Sequence, residues 1–275
     1  MHHFTMRGIA AALALVCSTM LATAPAHADI EKIKKSGKLV VAVYDDYAPF
    51  STKDGGIDID LAEALAKKLN LKLSLLPFPA GENVNDDLRN MVWKGHYLGF
   101  GPADVMLHVP VERSVMAQND NVEIFAPYYR DTIQLARNIK AIPELRGAES
   151  LEGKRLGAEK VSISAMVLLG DANLRENVKI FPLPMQAVEK MKAGELDAVV
   201  GSRSEIESVL RNDPAFELTN APFDRLPRQG WVIGMSVKKD NTDLAKLLQA
   251  AVNDLFASGE MAALFAKHGV KSVKP

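Results

Sequence analysis

Strand-like and helix-like segments alternate along most of the chain, in two sets separated by the polar, proline-containing stretch Asn138–Gly153. Short β-branched apolar runs predict strands, and apolar residues on one face predict helices. The first set consists of strands Lys38–Val43, Leu71–Leu76 and Asp104–Leu107, the extended run Asp131–Ala136, a helix that Asp58 can cap, and helix Val84–Lys94. The second set consists of strands Arg155–Ala158, Val178–Phe181 and Asp197–Val200, the extended run Gly230–Val237, and helices Ile163–Leu169, Met185–Ala193, Ser204–Leu210, Asp243–Ala257 and Glu260–Lys267.

This alternation predicts an α/β protein with two lobes and mostly parallel sheets. Ligands of such sheets bind beyond the carboxyl ends of the strands, which in a two-lobed protein is the cleft between the lobes. Candidate functional residues are therefore expected in the loops that follow the strands.

The first 28 residues have the pattern of an export signal. Arg7 is their only charged residue, an apolar run follows it, and Ala26-His27-Ala28 fits a small-x-small cleavage site before Asp29. The alternatives are a membrane anchor, for which the apolar run is short because a span needs about 20 residues, and a lipoprotein, for which Val16 before Cys17 is unsuitable. We expect a signal peptide at residues 1–28 and a mature periplasmic protein with no membrane insertion.

The composition of the mature chain narrows its chemistry. It would keep 275 − 28 = 247 residues and no cysteine, because Cys17 leaves with the signal, so disulfides and thiolate chemistry are excluded. Without Arg7 the formal charge is 32 − 34 = −2, which gives no general attraction to nucleic acid or anionic membrane. The histidines His96, His108 and His268 lack metal-ligand spacing, and no phosphate loop is present, so we expect no metal and no cofactor.

The turn after strand Asp104–Leu107 carries a candidate ligand-binding residue. It ends in Arg113, just beyond the strand, and the aromatic pair Tyr128-Tyr129 follows after a second apolar run. A guanidinium offers a rigid fork of donors that matches a carboxylate. The pattern favours capture of a small anion, and the alternative is a salt bridge from Arg113 to Glu112 or to another neighbour.

Three motifs occur in a fixed order along the mature chain: Gly56-Ile57-Asp58-Ile59-Asp60-Leu61 with Ala64-Leu65-Ala66, then Ala126-Pro127-Tyr128-Tyr129, then Lys192-Ala193-Gly194-Glu195-Leu196-Asp197-Ala198-Val199. Together they resemble the polar amino-acid (family 3) solute-binding proteins of ABC transporters. The resemblance implies a monomer with the type II periplasmic binding fold, in which a two-strand hinge joins two lobes. It implies lobe 1 at residues 29–133 and 234–275, lobe 2 at residues 134–233, and crossing segments near Asp131–Asn138 and Gly230–Val237.

The resemblance also implies a ligand site. Arg113 matches the arginine that grips the ligand carboxylate, although the hydroxyl residues that usually precede it are missing. Ser162 and Ser164 lie where the family presents hydroxyls and a helix amino terminus to the same carboxylate; alternatively, Ser162 only caps the helix. Tyr47 matches the aromatic lid. His108, in the binding turn, could donate to an anion or be a structural histidine.

One departure from the family concerns the ligand amine. Amino-acid binders usually carry an aspartate for the α-ammonium group about five residues after the position of Asp197, and here that residue is Ser202, followed by Arg203. A hydroxyl in place of the carboxylate loses about 1.5–3 kcal/mol of charged hydrogen bonding. We therefore expect a carboxylate ligand that is not an ordinary α-amino acid, with Ser202 and Arg203 beside it.

A second departure is the segment Lys94–Pro102, which is longer than the corresponding turn of the family. With Trp93, the aromatic residues Tyr97 and Phe100 could form a wall beside the cleft that suits a planar ligand. The alternative places Trp93 in the core and leaves the segment as variable surface.

Three classes of function fit these features. The first is a receptor that closes on its ligand and delivers it to an ABC transporter permease. The second is an accessory protein of a periplasmic quinoprotein (pyrroloquinoline quinone, PQQ) alcohol or methanol dehydrogenase, or a receptor for PQQ itself. The Pro127-Tyr128-Tyr129-Arg130 element and the missing aspartate are compatible with that group. The third is a dehydratase with Glu205 or Asp104 as its acid. Nothing in the sequence pairs with Glu205, so we expect a binding protein, not an enzyme.

Overall fold

The computed structural model describes residues 26–275. The expected signal residues before Ala26, including Arg7 and Cys17, lie outside the described residues. Helix α1 (Ala26–Ser36) spans the expected cleavage site. Among the helices that the structure describes, none combines the length and the apolar character that a membrane crossing requires.

The first lobe is built on a five-stranded mixed sheet with the strand order β2-β1-β3-β10-β4. Its strands are β1 (Lys38–Tyr44), β2 (Lys72–Phe78), β3 (Val105–Pro110), β4 (Val122–Asp131) and β10 (Trp231–Lys238). The first three run parallel, and β10 is antiparallel to both β3 and β4. The helices of this lobe are α1, α2 (Ile57–Lys68), α3 (Val84–Leu88) with the π-helical turn Arg89–Trp93, α4 (Arg113–Ala117), α8 (Thr242–Ser258) and α9 (Glu260–Lys267).

The second lobe is built on a five-stranded mixed sheet with the strand order β7-β6-β8-β5-β9. Its strands are β5 (Ile133–Asn138), β6 (Leu156–Glu159), β7 (Val178–Phe181), β8 (Ala198–Ser202) and β9 (Phe216–Asn220). Strands β6, β7 and β8 run parallel, and β5 is antiparallel to β8 and β9. Its helices are α5 (Ile163–Gly170), α6 (Pro184–Lys192) and α7 (Arg203–Leu210), with 3-10 turns at Ala148–Leu151 and Arg175–Asn177.

Two segments connect the sheets. Only Thr132 lies between β4 and β5, and residues 221–230 return the chain from β9 to β10. The expected α/β fold with two lobes and a two-strand hinge is confirmed. The sheets are mixed and not mostly parallel. Each contains one strand next to a connection between the lobes, β10 in the first sheet and β5 in the second, that runs antiparallel to its neighbours. The expected lobe boundaries stay a prediction; β10 begins at Trp231 inside the first sheet.

Most predicted helices and strands exist within a few residues of their expected bounds, but the role of Asp58 differs. Helix α2 begins after Gly56, which has no side-chain cap, and Asp58 lies buried in the first turn. Strands β4 and β9 and helix α4 were not predicted as elements. Strand β9 alternates apolar and polar residues as an edge strand does, but its five residues are a short signal between polar segments.

Candidate ligand-binding cleft

A pocket of about 280 Å³ lies at the carboxyl ends of the lobe 1 strands. It is lined by Tyr44, Asp45, Asp46, Tyr47, Ala80, Val84, His108, Pro110, Trp231 and Ile233. Aromatic walls with a few polar groups are typical of small-molecule sites. A larger groove of about 600 Å³, between α2 and α9, contains none of the site residues predicted from the sequence.

His108 belongs to a buried hydrogen-bonded group. Its Nδ1 lies 2.9 Å from Oδ2 of Asp58, whose Oδ1 accepts a hydrogen bond of 2.7 Å from the Tyr128 hydroxyl. The backbone of His108 has φ of 59°, in the left-handed region, and its N–H donates to the same tyrosine oxygen at 3.0 Å. A strained residue held by several partners is typical of functional sites. The structure therefore gives His108 structural partners and a place on the pocket wall.

Tyr47 covers the His108 ring from the loop after β1. The two rings meet edge to face with their centroids 4.7 Å apart, and Tyr47 also stacks on Phe50 at 5.7 Å. Its side chain remains 38% exposed. The pKa of the Tyr47 hydroxyl is raised first by burial and then by the charges of nearby carboxylates: Glu205, Asp131, Asp58 and Glu159. The cleft around Tyr47 is thus rich in acidic groups from both lobes.

Glu205 and Glu159 supply this acidity from lobe 2. Burial, followed by the charges of Glu159 and Asp131, raises the pKa of the Glu205 carboxyl to about 8. Burial also raises the pKa of Glu159. Within residues 26–275, neither carboxyl group has a hydrogen-bond or ion-pair partner. Two half-buried acids without a cation can either hold a proton or attract a positively charged group.

Ser202, expected beside the ligand, donates a hydrogen bond of 2.6 Å to Oδ2 of Asp131 at the hinge. The Ser204 hydroxyl donates to the same oxygen at 2.6 Å, and its backbone N–H donates to Oδ1 at 3.3 Å. Asp131 is 3% exposed. The turn between β8 and α7 is therefore attached to the end of β4 across the lobe boundary.

Arg203 is buried between the lobes. One terminal nitrogen donates to the Tyr129 hydroxyl at 3.1 Å and to the Lys271 carbonyl at 2.7 Å, and Nε lies 3.6 Å from a carboxylate oxygen of Glu207. Because it is already paired, Arg203 adds little free positive charge to the cleft.

Ser162 caps helix α5, which was one of the two roles expected for it. Its Oγ accepts from the Ala165 N–H at 3.0 Å and donates to the Glu159 carbonyl at 2.8 Å. The Ser164 hydroxyl is buried and has no hydrogen-bond partner among the described residues. Before the cap, Val161 is 94% exposed with φ of 60°, a rare conformation for a β-branched residue.

Arg113 and Trp93 are not among the residues that line the pocket. Arg113 is exposed at the start of α4, and within the described residues its guanidinium makes no hydrogen bond or ion pair. Trp93 is partly buried against the lobe 1 core, which agrees with the alternative interpretation of this residue. Of the sequence-predicted site residues, only Tyr47 and His108 line the pocket.

Four acidic residues of this region were not foreseen in these roles: Asp58, Asp131, Glu159 and Glu205. Glu159 could have been found, because it ends strand β6 just before the α5 cap. Asp131 follows the Tyr128-Tyr129 pair at the expected hinge. Only the folded structure, however, shows that the charges of all four act on the Tyr47 hydroxyl.

Comparisons with known proteins agree with this architecture. The L-cystine-binding protein TcyJ of Escherichia coli (strain K12) is 23% identical over 270 residues, covering 93% of this chain and 91% of that protein. Cyclohexadienyl dehydratase of Pseudomonas aeruginosa is 42% identical over 72 residues, which cover 23% of this chain and 27% of that enzyme.

Among solved structures, an ancestral cationic amino acid solute binding protein has a TM-score of 0.69 at 20% identity, covering 88% of this chain and 99% of that chain. No protein-family model matches the sequence. The full-length match to a binding protein and the shared two-lobed fold agree with the three ordered motifs. The chain is similar over nearly its whole length to a solute-binding protein, as the resemblance to the family 3 proteins of ABC transporters implies, and it has the type II periplasmic binding fold.

Proposed function

We propose that the mature protein, from Asp29 to Pro275, is a periplasmic solute receptor that closes on a small ligand between its lobes and presents it to an ABC transporter permease. The pocket of about 280 Å³ and the two connections between the sheets support ligand capture by hinge closure. The similarity to the L-cystine-binding protein supports the transport role.

The ligand we propose carries a positively charged group. The observation behind this choice is the set of acids around Tyr47, of which Glu205 and Glu159 have no partner among the described residues. A bound cation would neutralise these acids, whereas an anion would add repulsion where burial already disfavours charge. The aromatic face of Tyr47 also attracts cations.

A carboxylate on the same ligand is compatible with this site. We retain Arg113 for it because its guanidinium is exposed and unpaired in the described part of the chain. The α5 amino terminus with Ser164 is a second donor group. The expectation of a ligand without an amine rests on Ser202, which has no carboxyl group. Glu205, three residues further along the chain, supplies such a group. A zwitterion therefore fits better than a simple anion.

A thermal-shift screen of the mature protein tests the proposal. The panel contains cystine, arginine, polyamines, dicarboxylates, aromatic acids and PQQ. A ligand present at a thousandfold its dissociation constant adds roughly 4 kcal/mol, which is about 8–16 °C for a chain of this size. We expect a cationic or zwitterionic compound to give the largest shift, and Glu205→Gln to reduce it more than the matched variant Glu176→Gln at an exposed site.

Two other results of the screen would contradict the proposal. A large shift only from dicarboxylates or PQQ, lost in Arg113→Ala, would overturn the cationic ligand and favour the anion expected from the sequence. No shift from any compound would contradict the receptor and favour the accessory role beside a periplasmic dehydrogenase.

A second candidate function is acid-catalysed elimination. With its pKa raised to about 8, Glu205 holds its proton at neutral pH and can donate it to a leaving hydroxyl group, while the substrate carboxylate leaves as carbon dioxide and the electrons of its C–C bond form the new double bond. The short similarity to cyclohexadienyl dehydratase supports this candidate, whereas the full-length similarity is to a binding protein. Incubation with a prephenate-like acid, followed by mass spectrometry, separates the two. We expect no turnover; loss of water and carbon dioxide that Glu205→Gln abolishes would establish an enzyme.

A further inference from the structure

The segment after α9, residues 269–275, lies on lobe 1. The Arg130 N–H at the edge strand β4 donates to the Val273 carbonyl at 3.1 Å, and Val273 packs against the lobe 1 core. Nζ of Lys274 lies 5.4 Å from the Phe256 ring centroid. Val270 is almost fully buried. These contacts fix the tail as part of the first lobe.

The same segment also bonds to lobe 2. The Lys271 N–H donates to Oε2 of Glu207 at 2.9 Å, and the Lys271 carbonyl accepts from Arg203 at 2.7 Å. Glu207 and Arg203 both belong to α7, which packs on β8 and α6 of the second lobe. The tail therefore forms a third link between the lobes, beside the two crossing strands.

Arg203 joins this link to the core of lobe 1. Its guanidinium carbon lies 5.5 Å from the ring centroid of Tyr129, and its terminal nitrogen bonds the hydroxyl of the same residue. Tyr129 is fully buried and stacks on Phe265 of α9 at 4.8 Å. At 8% exposed, Arg203 is held by groups of both lobes.

The amino-terminal half of α7, with its cap Ser202, is thus attached to lobe 1 at two places. Arg203 and Glu207 bind the tail, while Ser202 and Ser204 bind Asp131 at the end of β4. Glu205 lies between Ser204 and Glu207, within the attached part of the helix. A residue fixed at the pivot of two lobes keeps its distance to both when the lobes rotate.

We propose that residues 269–273 and Arg203 form a third hinge connection, and that Arg203 is a positioning residue that keeps Glu205 beside lobe 1 in every lobe arrangement. Only the role given to Glu205 rests on the proposed function. The acidic end of the cleft is then assembled before ligand arrives, and preorganisation of this kind reduces the free energy lost on binding.

Electron–electron double resonance on the mature chain tests the connection without a ligand. Because that chain contains no cysteine, Glu82→Cys in lobe 1 and Lys179→Cys in lobe 2, both exposed, provide two unique spin-label sites. We expect a narrow interlobe distance distribution in this background. Arg203→Met, which removes the bonds but keeps an apolar side chain, and Lys271→Pro, which removes the N–H donor, should each broaden it.

Amide hydrogen exchange provides the second readout. In both variants, exchange in residues 203–210 should rise at least tenfold, whereas the matched control Arg175→Met, at an exposed site of lobe 2, should leave both readouts unchanged. An arginine needed only for folding would lower the urea midpoint without broadening the distances. If Lys271→Pro and a folded Arg203→Met both keep the narrow distribution and slow exchange, the connection is refuted. Failure of the ligand screen alone would not affect it.

Discussion

Nδ1 of His108 lies 2.9 Å from Oδ2 of Asp58, and both side chains are buried at the base of the cleft. Because the carboxylate only accepts, we assign a proton to this nitrogen, which leaves Nε2 of His108 as the second polar atom of the ring. The pair connects helix α2 to strand β3. Asp58 therefore holds His108 on the pocket wall instead of capping the helix.

The variant Asp58→Asn should destabilise the protein. A carboxylate accepts from His108 and Tyr128 at once, whereas an amide has one oxygen, so one donor would face an NH₂ group. We expect a loss of about 1–3 kcal/mol in the free energy of unfolding, measured by urea denaturation at pH 7. Asp54→Asn, at an exposed site of the same lobe, is the control. Equal midpoints for the two variants would contradict the role of Asp58.

The variant Glu205→Gln should stabilise the unliganded protein with a specific pH profile. The folded-state pKa of about 8 lies above the ordinary glutamate value, so folding favours the protonated acid, and wild-type stability declines as pH rises toward 8. Glutamine removes this decline. The advantage of the variant should be absent near pH 4 and grow by roughly 1 kcal/mol per pH unit between pH 5 and 8. A pH-independent difference from Glu176→Gln would refute the assignment.

The variant Asp197→Asn should show the opposite pH dependence. Hydrogen bonds from Arg155, of 2.6 Å and 3.1 Å from the side chain and 2.8 Å from the backbone, hold the pKa of Asp197 below its ordinary value. The carboxylate therefore contributes stability above its ordinary pKa, and this contribution is lost as pH falls through the folded-state value. Urea midpoints should differ most at pH 7 and converge toward pH 3. Asp224→Asn, in an exposed pair with Arg228, should change little.

Export should yield a chain that begins at Asp29. Small residues at Ala26 and Ala28 are what the cleavage site requires. Expression of the whole sequence with fractionation and intact-mass measurement should find the processed chain in the periplasm. Ala28→Arg should leave the leader attached, whereas Ala22→Ser, within the small-residue region, should be processed normally. A wild-type mass that includes the leader would contradict the signal peptide.

The fold was predictable because its pattern is local. Strand β7 and helix α9 have the bounds expected from the sequence, since apolar periodicity and flanking polar residues mark their ends. The acidic end of the cleft was not predictable in the same way. Asp58 fits a cap by its place in the sequence, yet it bonds to residues 50 and 70 positions away. The sequence places Arg203 as a free positive charge in the cleft, and only its contacts with Tyr129 and Lys271 show that it is already paired.

All three links between the lobes lie along one flank, where β4, β5 and β9 lie at or next to the sheet edges, while β2 and β7 form the opposite edges. The cleft is therefore closed along this flank, where Asp131 at the end of β4 holds the start of α7, the helix that contains Glu205. Under the proposed function, a solute would enter from the opposite side with its positively charged end leading. The other end of the solute would stay nearest the opening. A fluorescent or affinity group attached to that end should therefore not prevent the two lobes from closing.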